Sequence, residues 1–306
     1  MNHFFKAQLL PICLCFIGVS LSAPSMLYAE KKIHVAASIL PQKYFIQKIG
    51  GDRVKVSVMV LPGANPATYE PKPSQMVNLS NASIYFAIGV PFEENWLSRF
   101  AEASPHMRIV ETQSGITKIP MKASGHRHHE SLHDPEETTV DTKDPHIWLS
   151  PPLVMLQAKN ILDALTDTDP KNRTVYDANY SKFIHELKVL DGEIKRILQT
   201  TGHQAKFMVY HPSWGYFAKT YGLEQIPIEL EGKKPSPRKL LELIQKAQQE
   251  NIKVIFVQPQ FSEKSAESIA SAIGGKVMFA DPLAEDWKNN LLQVAETFRS
   301  SMQSER

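Results

Sequence analysis

Cysteine is almost absent. The 306 residues hold two, Cys13 and Cys15, both inside an apolar run from Leu9 to Leu21. Beyond that run no disulfide can brace the chain, so its fold must rest on a hydrophobic core. Long apolar stretches are missing as well. No run approaches the ~20 residues that a helix needs to span a bilayer. An excess of charge of either sign is lacking, with 34 Lys and Arg against 32 Asp and Glu. That balance removes the electrostatic footprint of a nucleic-acid or anionic-membrane partner. Gly274-Gly275-Lys276 lacks the spacing of a phosphate-cradling loop.

What is present begins with an address. Lys6 closes a short polar start, the apolar run follows, and Leu27-Tyr28-Ala29 offers a small residue before Glu30. That order is expected of a cleaved secretory signal peptide over residues 1–29. Neither cysteine follows the small residue that bacterial lipid attachment requires, so a free periplasmic protein is expected. The remainder is long enough for two domains of ordinary size.

Two similar halves follow. Short β-rich runs lie at Ile33–Ser38, Val54–Val60, Ile84–Gly89 and Arg108–Glu111, and again at Lys206–Tyr210, Gln225–Glu229, Val254–Val257 and Val277–Ala280. Helical patterns such as Lys239–Glu250 and Glu263–Ile273 alternate with them. This alternation predicts an α/β chain of two doubly wound parallel-sheet lobes, over residues 30–171 and 200–306. Between them Tyr176, Tyr180, Phe183, Leu187, Leu190, Ile194 and Ile197 recur every three or four residues. They form one apolar stripe on a long rigid helix over 172–199, about 40 Å in length. A coiled-coil partner is the other use for such a stripe, although it lasts barely three heptads. Residues 123–142 hold almost nothing apolar and are expected to form a mobile loop.

Open α/β sheets bind ligands beyond the carboxyl ends of their strands. His211 stands where the fifth strand stops, with Pro212 suited to open a helix. Asp281 follows the eighth strand. Asp144 precedes His146 by two residues, in a turn between Pro145 and Pro151. Two imidazoles and a carboxylate on rigid turns suit Zn²⁺, and also Mn²⁺. Trp148, Trp214 and Phe217 are expected either to wall the site or to serve as ordinary core packing, and Glu231 to support it from behind. His34, His106, His185 and His203 are expected to be ordinary surface or packed residues.

Several motifs occur together in one order. They are Leu61-Pro62-Gly63 with Tyr69-Glu70-Pro71-Lys72-Pro73-Ser74-Gln75, Asp144-Pro145-His146-Ile147-Trp148-Leu149, His211-Pro212 with Gly215-Tyr216-Phe217, Pro235-Ser236-Pro237, and Asp281-Pro282-Leu283. On these the chain resembles the receptor family of bacterial zinc and manganese ABC importers, the ZnuA/TroA-like group. The resemblance implies a metal held in the cleft between the lobes, by His146 from the first and by His211 and Asp281 from the second. It also implies a monomer that delivers its metal to an ABC membrane permease. One position departs: Ala67 stands where the family usually has a fourth ligand, a His. Water, Asn65, Glu70 or a loop histidine would have to fill the gap. His126, His128, His129 and His133 lie among acidic residues in the loop, and similar loops mark the zinc-handling branch, so zinc is expected ahead of manganese. The loop would bind Zn²⁺ loosely and feed the cleft, or serve as a plain solvated linker. The alternative from another class is a zinc hydrolase using the open fourth position.

Overall fold

The computed structural model describes Met1 and residues 32–121, 143–201, 205–229, 235–261 and 263–303. The proposed leader, the His-rich loop with its four histidines, His203 and Glu231 lie outside the described residues. In the first half the order is β1 (Ile33–Ala37), α1 (Leu40–Gly50), β2 (Val54–Val58), α2 (Pro73–Leu79), β3 (Ile84–Ala87), α3 (Pro91–Ala103), β4 (Arg108–Glu111) and α4 (Pro151–Thr168). The connecting helix α5 is Arg173–Leu198. The second half runs β5 (Lys206–Val209), α6 (Gly215–Tyr221), β6 (Glu224–Pro227), α7 (Pro237–Gln249), β7 (Val254–Val257), α8 (Glu263–Ala272), β8 (Lys276–Phe279) and α9 (Trp287–Gln303). Each half folds as a parallel four-stranded sheet, in the orders β2-β1-β3-β4 and β6-β5-β7-β8. Every expected strand is present, most of them a residue or two shorter than their apolar runs.

The inner strands show why. β3 (IYFA) and β7 (VIFV) are buried at every position, as strands covered by helices on both faces must be. The edge strands β4 and β8 are exposed at both ends. Proline opens α2, α3, α4 and α7, where its missing N–H costs nothing.

The apolar stripe of α5 is used within the chain. Six of its seven residues are buried and Tyr180 is half-buried. The helix packs against α1 and α4 of the first lobe and against α6 and α9 of the second. A second element also spans the lobes, which sequence periodicity did not signal. At the start of α9, Trp287 meets Phe45 of α1 edge-on at 4.9 Å. Further along, Phe298 lies 4.3 Å from both Phe207 and Phe256 in the second sheet. Burial of such large rings dominates core energetics, so the lobes are fixed to each other by two helices. Among the described residues, no helix is long and apolar enough to cross a membrane.

Candidate metal centre

His211 sits just past β5, and a buried glutamine holds it there. Gln258, at the end of β7, donates through Nε2 to the His211 carbonyl at 2.6 Å and to Ser213 Oγ at 2.9 Å, and its Oε1 accepts from His211 N at 3.3 Å. These bonds keep residues 211–214 in a turn. The helix therefore opens at Gly215, three residues later than the Pro212 start that the sequence suggested. The imidazole stacks on Phe261 at 5.0 Å. Its Nδ1 bonds to the carboxylate of Glu229, which is 2 % exposed.

His146 comes from the turn ahead of α4 and is buried. Its backbone N–H and its ring Nδ1 both reach Asp144 Oδ1, at 2.9 and 2.7 Å. Both histidines thus present Nδ1 to a carboxylate. A carboxylate can only accept, so Nδ1 carries the proton and Nε2 keeps the lone pair that a metal uses. Burial holds the His146 imidazole below the usual histidine range, against the opposing pull of Asp144. The ring is therefore neutral and able to ligate near pH 7. The two rings stand edge to face, 5.3 Å apart.

Asp281 follows β8 and is half-buried. Its Oδ1 accepts from Leu283 N at 2.9 Å and from Gln260 Nε2 at 3.3 Å. The neighbouring Pro282 carbonyl accepts from Trp148 Nε1 at 2.7 Å, and the Trp148 ring lies 5.1 Å from His146. Trp287 Nε1 completes this contact by donating to the Trp148 carbonyl at 2.8 Å. The structure thus pairs the two histidines and brings the Asp281 loop beside them. Among the described residues, no three His, Cys, Asp or Glu side chains converge on one point. Asn65 Oδ1 is engaged by Ala67 N at 2.9 Å, while Ala67 and Glu70 are exposed. Trp148, Trp214 and Phe217 are buried, and Trp214 meets Phe217 edge-on. His34 bonds to Ser57 and His106 to Ser104, ordinary polar partners.

Two supporting residues escaped the sequence. Glu229 supports His211 by accepting from its Nδ1. The signal for it was sheet order: β5 pairs with β6 in the register Val209↔Pro227, which continues to His211 beside Glu229. Gln258 needed the β5–β7 pairing in the same way. A test of Glu229 follows. Glu229→Gln keeps an acceptor for Nδ1–H but removes its charge, and zinc affinity by chelator competition is expected to fall about tenfold.

Two parallel-sheet lobes thus meet over a pair of carboxylate-tethered imidazoles. The chain belongs to the family described as zinc-uptake complex component A, periplasmic, which matches residues 35–305. It is 31% identical over 253 residues to the high-affinity zinc uptake system protein ZnuA of Bacillus subtilis (strain 168), covering 80% of this chain and 76% of that one. A crystal structure of ZnuA superposes with a TM-score of 0.81 at 43% identity, over 89% of this chain and 100% of its own. A zinc-bound ZnuA lacking residues 138–173 gives 0.80 at 43% identity, over 89% and 98%.

Proposed function

We propose that the chain captures one Zn²⁺ outside the cytoplasm, between its lobes, and hands it to an ABC-type permease. His146 and His211 would bind through Nε2, and Asp281 would supply a carboxylate oxygen by turning from Leu283 N and Gln260. The observation that carries this reading is the pair of imidazoles, one from each lobe and 5.3 Å apart, each with Nδ1 on a carboxylate. Water completes a four-coordinate ion in place of a residue at Ala67. Manganese is the alternative metal, and the working unit is a monomer released by cleavage near residue 29. His126, His128, His129 and His133 would act as loose extra sites. The hydrolase alternative needs a general base beside the ion. Asp144 and Glu229 are both engaged with Nδ1 atoms, which leaves neither carboxylate for that task.

Zinc binding against pH tests the proposal. Protons and zinc compete for the same lone pairs, so affinity falls as pH drops through the histidine range near ~6.5. Because His146 is held below that range, its share of the loss comes at lower pH than an exposed histidine would give. The expected result is one tightly held equivalent that persists after deletion of residues 124–133 and weakens between neutral and acid pH. A flat profile, or loss of the tight equivalent with the loop, would contradict the assignment.

A further inference from the structure

We infer that Tyr216 and Gly215, carried on the same lobe as His211, position His146 on the other lobe by gripping Asp144. The two imidazoles are then one preassembled pair. The inference rests on the reading of both histidines as zinc ligands.

Asp144 is held on every side. Its N–H donates to Ile119 O at 2.9 Å, and its carbonyl accepts from the Tyr216 hydroxyl at 3.0 Å. The same hydroxyl accepts from Ile119 N at 3.0 Å, so one phenol ties together two segments of the first lobe. On the side chain, Oδ1 is taken by the His146 backbone and ring. Oδ2 faces Gly215, where a Cβ would stand only 2.6 Å away. Asp144 is 2 % exposed and Tyr216 4 %, so neither side chain has room to swing clear. A group added at 215 would have to push a pinned carboxylate, and that carboxylate carries His146 with it. Burial pushes the Tyr216 phenol up to about 12, so it stays a hydrogen-bond donor throughout the physiological range. Gly215 and Tyr216 open α6, in the segment that begins at His211. A displacement of that segment therefore moves one imidazole directly and the other through Asp144.

Outer partners of a metal-bound histidine typically govern about 10–100-fold of metal affinity. Tyr216→Phe keeps the ring and its packing but removes the grip on the Asp144 carbonyl. Zinc affinity by chelator competition is expected to fall about tenfold, and Gly215→Ala to fall further, toward about a hundredfold. Both variants should also change the visible absorption of bound Co²⁺ and the pH profile of zinc affinity. A merely structural role would lower the melting temperature of the metal-free protein and move neither readout. Tyr216→Phe with parental zinc affinity and cobalt spectrum overturns the inference. His146→Ala and His211→Ala separate the two levels. If they lose zinc while Tyr216→Phe does not, only the positioning role falls. If they bind zinc like the parent, the metal site itself falls.

Discussion

His211→Ala is expected to lower zinc affinity by more than the ~10–100-fold that loss of an outer partner costs, because it removes a ligand itself. Chelator competition on the chain without residues 124–133 measures it free of the loop histidines. The substitution also strips Glu229, 2 % exposed, of the imidazole it binds. A buried carboxylate without its partner is costly, so the melting temperature of the metal-free protein should fall too. His146→Ala is expected to match the loss of affinity with a smaller loss of stability, since Asp144 Oδ1 keeps its bond to the backbone N–H of residue 146. Zinc affinity surviving both substitutions would remove imidazole ligation from the cleft.

Ala67→His is expected to act in the opposite direction. Ala67 is exposed, in a turn closed by Ala67 N donating to Asn65 Oδ1 at 2.9 Å and Thr68 N donating to Asn65 O at 3.2 Å. Those bonds are independent of the side chain at 67, so an imidazole can be added without disturbing core or turn. If the turn follows the family path, the new ring replaces a water as fourth ligand. Affinity should then rise about tenfold or more, equivalent to about 1.4 kcal/mol. Unchanged or weakened binding would mean that the turn does not face the ion.

The fold was legible where burial imposes a period. The stripe from Tyr176 to Ile197 announced α5 to within a residue at each end, because one face of that helix is covered along its whole length. The runs at β3 and β7 announced strands, and their unbroken apolar character follows from the cover on both faces. His146 and His211 stood out through the prolines and strand ends beside them. Glu229 and Gln258 did not, since each acts through a neighbouring strand and sheet order is not written in local periodicity. The spanning role of α9 was hidden for a similar reason. Trp287 and Phe298 look alike as apolar residues on a helix, yet one packs on α1 and the other on the second sheet. Gly215 read as part of a family motif, while its physical reason, the Asp144 carboxylate across the lobe boundary, appeared only in three dimensions.

A crystal structure of the zinc-loaded protein, with the ion located by anomalous scattering at the zinc edge, tests the centre most directly. Ligation as proposed puts one ion about 2.0–2.1 Å from Nε2 of both His146 and His211, and about 2.0–2.2 Å from an Asp281 oxygen. An ion bound elsewhere, with Asp281 still on Leu283 N and the two imidazoles free of metal, would contradict it.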